Sequence, residues 1–211
     1  MTILFIVITF YIIGSIPFGF IVTKLKTGQD IRDYGSKSIG ASNVTRLIGI
    51  GYGLLIVFLD AMKAILPLFV MKYNVVHEQI DILLCIAALS VTLGHIYSIF
   101  LKFKGGKGVA TFIGVMAILL PFETLIFLAL YVILLITTKY TSVSSLASLF
   151  IFPAIIYVSK GISAVSLPYI FLSLLLFFII LLKHRQNIVR LRQGQEPQFS
   201  IKQKLEKIYA K

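Results

Sequence analysis

Lys104-Gly105-Gly106-Lys107-Gly108 interrupts two apolar runs and concentrates flexible backbone and positive charge in five residues. Glycines let main-chain N–H groups turn into a common concavity and let an anion approach the backbone. The lysines add compact point charges. A helix expected to start just after Gly108 supplies free N–H groups and the positive end of its dipole, and Thr111 in its first turn offers a hydroxyl. Phosphate binding is the chemistry this arrangement suits, although the spacing is not the P-loop pattern G-x-x-x-x-G-K-[ST]. The plainer reading of the same residues is a flexible basic turn that obeys membrane charge asymmetry.

Two further segments gather polar chemistry. Residues 35–46, Gly-Ser-Lys-Ser-Ile-Gly-Ala-Ser-Asn-Val-Thr-Arg, place Ser36, Ser38 and Ser42 beside Asn43 and Arg46. Hydroxyls donate to an oxyanion, and a guanidinium grips a phosphate in bidentate fashion. An ordinary polar loop leading into a capped helix is the alternative. The segment from Lys183 contains His184 and Asn187 at i, i+3, which share a face if the helix continues. A histidine among cations tends to stay neutral and able to accept a proton. Against this stands a basic juxtamembrane tail that touches anionic lipid. His95, after Gly94, is either a ligand contact or a packing histidine. Asp60 and Lys63, at i, i+3 inside an apolar run, read as a paired structural brace, since lone charges there are costly. No His, Asp, Glu or Cys spacing matches a metal site, so none is expected.

The elements that must hold these residues are membrane helices. Of 211 residues, 58% are hydrophobic and 13% charged, with mean hydropathy +0.98; a soluble domain has about 45–50% and about 25%. The single Cys85 allows no disulfide or thiolate metal site within one chain. The first apolar run has no preceding Lys or Arg and no small-residue cleavage site, which reads as a retained span. Apolar runs at 2–23, 50–71, 80–101, 108–120, 122–138, 143–159 and 162–182 predict an all-α bundle of seven transmembrane helices, some short. One helix kinked at Pro121 would reduce the seven to six. The cations decide between them. The 24–49 loop has five cations and two anions, the 102–107 loop three and none, and the tail from Lys183 eight and two. Seven helices put all three on one side, N-terminus out and C-terminus in, by the positive-inside rule. The net charge of +12 is thereby assigned to topology and an anionic ligand, with no nucleic-acid partner. No internal repeat of the transporter kind is evident.

Taken together, six blocks resemble the bacterial acyl-phosphate:glycerol-3-phosphate acyltransferase (PlsY) family. They are GSIPFG (14–19), DIRDYGS (30–36) continuing to IGASNVTR (39–46), LDAMK (59–63), GHIYSIFLKFKGGKGVAT (94–111), KYTSVSS (139–145) and KHRQNIVRLRQGQEP (183–197). The resemblance implies one polytopic domain over residues 1–211, in the bacterial cell membrane, with its active site facing the cytoplasm and a basic tail from about 183. It implies acyl transfer from acyl-phosphate to the sn-1 hydroxyl of glycerol 3-phosphate, giving lysophosphatidic acid, the first step of phospholipid synthesis, without a cofactor. By resemblance Ser36, Arg46, His184 and Asn187 are catalytic, and Lys104 to Gly108 form the glycerol-3-phosphate loop. Thr111, Asn43, Ser142 and His95 are read as further substrate contacts, with Glu196, Asp60 and Lys63 as structural residues. Membrane lipids surround the chain, and the enzyme that makes the acyl-phosphate is a candidate partner. Lys37 and Ser38 stand where the family usually has glycine and asparagine, Lys183 where arginine is usual, and Ala64 where glycine is common. An organic-anion transporter, or a paralogue acting on another phospho-alcohol, is the alternative.

Acyl-phosphate is a mixed anhydride whose phosphate leaves readily. Holding two mutually repelling phosphates close is then the main task. The H-x-x-x-x-D pair of acyl-CoA-dependent enzymes is absent, because Ile82, Phe100 and Val189 stand five residues after His77, His95 and His184. The base is left between His184 and the donor's own phosphate oxygens.

Overall fold

The computed structural model describes residues 3–162 and 166–199, and among these the secondary structure is helical with no strand. α1 (Ile3–Ser15) and α2 (Phe18–Thr27) form one apolar path of 25 residues broken at Pro17, where proline cannot donate to the helix ladder. α3 (Ala41–Ile48) is a short amphipathic helix, and α4 (Ile50–Asn74) and α5 (Ile80–Ile96) follow. Then come α6 (Val109–Leu119), α7 (Pro121–Thr138), α8 (Thr141–Lys160), α9 (Ser166–Lys183) and α10 (Arg185–Arg192).

Among the described residues, five helical paths are long and apolar enough to cross a bilayer, and six if α9 and α10 count as one broken span. α6 is helical where expected, but its 11 residues rise only about 16 Å against about 30 Å of hydrocarbon. It is the shorter apolar helix that the expectation of some short members allows. It is also no part of a single kinked helix with α7. The rings of Phe112 and Phe127 lie 5.5 Å apart, so the chain folds back at Leu120–Pro121. Phe152 of α8 meets both rings edge-on, and this aromatic trio sits in the core. Lys72, near the end of α4, donates 2.7 Å to the Ile118 carbonyl and so satisfies the free carbonyl end of α6.

Close backbone approach holds the bundle where lipid provides no hydrophobic contrast. A Cβ at Gly14 would run into the Val91 backbone of α5, one at Gly94 into Tyr11 of α1, and one at Gly114 into Ala61 of α4.

Lys37 has φ +55°, as does Gly35 two residues earlier. Lys37 thus occupies the left-handed region, which costs a side chain roughly 1 kcal/mol. The 31–40 loop keeps its path because Asn43 holds it.

Candidate active site

Each polar segment ends at one cavity of about 350 Å³. Ser36 and Ser38 come from the 31–40 loop, Ser42 and Thr45 from α3, Asp60 from α4 and His95 from α5. Lys107 and Gly108 precede α6, Thr141 and Ser142 begin α8, and His184 joins α9 to α10. The other end is apolar, lined by Ile50, Leu54 and Val57 of α4 and Leu128, Val132 and Leu135 of α7. Leu54 is 63% exposed and Val132 48%, on helices that span, so this end opens sideways toward lipid.

The cationic loop is built differently from its sequence expectation. Gly105 and Gly106 do not turn their N–H groups into the cavity; they donate to the Ile96 and His95 carbonyls at 3.1 and 3.0 Å. The glycines serve close approach instead. A Cβ at Gly105 would strike the His95 carbonyl, and one at Gly106 would strike the His95 ring. Lys104 is exposed and off the cavity, while Lys107 lines it. Gly108 (φ +96°), Val109 and Ala110 also line it, and the first amides of α6 have no intrahelical acceptor. Thr111 is fully buried away from the cavity, and its hydroxyl has no hydrogen-bond partner among the described residues.

Beneath the loop lies a buried trio. Lys63 Nζ donates to Asp60 Oδ1 at 2.8 Å, to the Ile16 carbonyl at 3.0 Å and to His95 Nδ1 at 2.8 Å. An ammonium has three hydrogens and no lone pair, so all three are used and Nδ1 must accept. The neutral His95 ring then has its proton on Nε2, the atom that lies beside Gly106. The expected Asp60–Lys63 brace is present, and it also orients a cavity histidine.

Asn43 anchors the serine loop. Its Oδ1 accepts from Ser36 N–H at 3.0 Å, and its Nδ2 points at the Ile31, Tyr34 and Ser38 carbonyls between 2.9 and 3.2 Å. Its amide is committed to the loop, and the residue also lines the cavity. Arg46 does not line the cavity. It is exposed, and its Nε donates to the Ser42 carbonyl at 3.0 Å.

The third segment breaks where a continuous helix was expected. The axis turns 58° at His184. His184 Nδ1 lies 2.9 Å from the Ile180 carbonyl; a carbonyl only accepts, so the proton is on Nδ1 and Nε2 keeps its lone pair. Burial, then the Lys107 charge, hold His184 down to about 4, and it is neutral at pH 7. Asn187 turns away and donates 2.6 Å to Glu196 Oε1. Ser142 donates to the same oxygen at 2.9 Å, and Arg190 Nε to Oε2 at 2.8 Å. Burial works to raise the Glu196 carboxyl, but Asn187, Ser142 and Arg190 hold it below its usual value. The hydroxyl proton of Ser142 is thereby taken, so the serine faces the cavity as an acceptor only. Lys107 is lowered to about 8, first by burial and then by Arg190 and Arg46 against the pull of Glu196.

The glycerol-3-phosphate acyltransferase family model matches residues 4–194. The chain belongs to that family. Among relatives, the glycerol-3-phosphate acyltransferase of Fusobacterium nucleatum is 39% identical over 197 residues, 92% of this chain and 96% of that one. Two crystal structures of PlsY, an integral membrane glycerol 3-phosphate acyltransferase, share the fold. The glycerol 3-phosphate form has TM-score 0.85 at 36% identity, covering 95% of this chain and 96% of the other. The lysophosphatidic acid form has TM-score 0.81 at 34% identity with the same coverage. Membership in the glycerol-3-phosphate acyltransferase family makes this chain a multi-pass membrane acyltransferase of phospholipid biosynthesis.

The motif reading missed the wall of the family member's site. Leu128, Tyr131, Val132 and Leu135 follow an i, i+3, i+4, i+7 pattern, which is the helical-face signal that marks one side of α7. Phe199 also lines the cavity and had no signal at all.

Proposed function

We propose that the chain transfers an acyl group from acyl-phosphate to the sn-1 hydroxyl of glycerol 3-phosphate, releasing lysophosphatidic acid and phosphate. The observation that supports this best is the single cavity with one cationic, hydroxyl-lined end and one apolar end open to the side. Such a cavity suits a phosphate-bearing headgroup joined to a hydrocarbon tail. Lys107 and the first amides of α6 take phosphate, and Ser36 adds a hydroxyl. Arg46, near Lys107 and Glu196, draws phosphate toward the mouth. His184 Nε2 accepts a hydrogen bond from the attacking hydroxyl and orients it. At about 4, His184 is a weak base in the empty site. The departing phosphate grows more basic as its bond to the acyl carbon breaks, and it takes the proton. Asn187 acts as a positioning residue through Glu196. On this reading the site faces the cytoplasm across the cell membrane, N-terminus out, in one domain spanning 1–211; the basic loops that meet at the cavity support it by the positive-inside rule. Because acyl-phosphates hydrolyse readily, an enzyme that makes them is the partner that must supply the donor.

Purified protein in vesicles, given labelled long-chain acyl-phosphate and glycerol 3-phosphate, is expected to form labelled lysophosphatidic acid. Transfer from acyl-CoA alone sinks the donor assignment, and flux of glycerol 3-phosphate without transfer favours a transporter.

Two expected results arise directly from the site. Gly106→Ala pushes the His95 ring aside, so it is expected to raise the KM for glycerol 3-phosphate by about tenfold while changing kcat less; steady-state kinetics over acceptor concentration decide it. The second concerns pH. With Lys107 at about 8 in the empty site, its ammonium is lost as pH rises through that value. The ratio kcat/KM for the acceptor is expected to fall above about pH 8. Lys107→Arg keeps its charge and is expected to move this alkaline limb beyond pH 10.

A further inference from the structure

The chain beyond α10 returns across the cavity. Gly194, at φ +67°, makes the turn, with its N–H on the Leu191 carbonyl at 3.1 Å and Gln195 N–H on the Arg190 carbonyl at 2.8 Å. Glu196 is then fixed by Ser142, Asn187 and Arg190. Gln198 Nε2 donates to the Tyr140 hydroxyl at 3.3 Å, and Phe199 N–H to the Lys139 carbonyl at 2.7 Å. The strap formed by residues 193–199 is thus tied to the α7–α8 turn and presents an aromatic ring to the same cavity as Ser36, Lys107 and His184. An apolar side chain on the wall of this cavity adds nothing to holding an anion. It does remove water from the space it fills.

Water is a competing acceptor for a mixed anhydride. In transfer, the acceptor hydroxyl oxygen bonds to the acyl carbon. The C–O bond to phosphate breaks, phosphate departs with the electron pair, and the hydroxyl proton ends on phosphate. Hydrolysis runs the same course with a water oxygen, giving free fatty acid and phosphate. We propose that Phe199, held on the 193–199 strap, screens the reacting carbonyl from water, so that acyl transfer outruns hydrolysis of the donor. This inference rests on the acyl-phosphate reading above.

The test follows labelled acyl-phosphate in vesicles containing the full chain, scoring free fatty acid against lysophosphatidic acid at saturating glycerol 3-phosphate. Phe199→Ala is expected to raise the ratio of hydrolysis to transfer by about tenfold, with Phe199→Leu restoring most of the wild-type ratio. An unchanged ratio in Phe199→Ala overturns the proposal. So does a parallel loss of both products in Phe199→Ala and Phe199→Leu, because a purely architectural role lowers the two together. Wild-type protein that leaves acyl-phosphate intact sinks the donor reading and this inference with it, an outcome distinct from the other two.

Discussion

A Lys63→Met chain is expected to lose about 3–5 kcal/mol of stability, enough to remove much of the margin of about 5–15 kcal/mol typical of a folded domain. Lys63 and Asp60 are 5% and 3% exposed, so the substitution strands a carboxylate with only His95 Nδ1 nearby, at 3.5 Å. The Ile16 carbonyl at the α1–α2 break loses its donor as well. Thermal unfolding in detergent reads the loss. The double variant Asp60→Asn/Lys63→Met is expected to recover part of it, because two neutral side chains leave no unpaired charge. A single variant as stable as the native chain refutes the brace.

Lys107→Met is expected to lower kcat/KM for the acceptor by about 10²–10³ with thermal stability little changed. Lys107 is the cation that lines the cavity beside the α6 amides, whereas Lys104 is exposed and off it. Removing Lys107 leaves the phosphate facing only neutral donors. Lys104→Met is the control and is expected to act within twofold of the native chain, since screening by water and salt weakens exposed charges. Equal losses from the two lysines would show that the loop works by general charge and not by placement.

How far the sequence reached depended on the distance between partners. The Asp60–Lys63 pair was legible because i, i+3 spacing on a helix sets the contact locally. Its third member was not, because His95 arrives on another helix 32 residues away. The cationic loop was recognised by residue type, but its mechanics were misread. Glycine density signals either an open nest or tight packing, and the acceptors that decide, the His95 and Ile96 carbonyls, lie outside the loop. The i, i+3 relation of His184 and Asn187 assumed an unbroken helix, and the bend gave the two side chains separate tasks. Ser142 and Glu196 sit 54 residues apart, and the resemblance supplied a role for each but not their contact. The apolar spans were legible throughout, α6 included. What one-dimensional hydropathy leaves out is that the helix within the 108–120 run is only 11 residues long.

The cavity opens between Leu54 and Val132 through the wall of the bundle, and this sets the kind of concentration the protein feels. Its oily reactant and product travel in the plane of the leaflet, so encounters scale with molecules per unit of membrane area. Adding inert lipid at constant bulk amounts therefore slows turnover, while diluting the same vesicles in more buffer leaves the acyl side of the encounter unchanged. The headgroup partner, arriving from water, obeys ordinary molarity, and one active site reads two different measures of abundance at once.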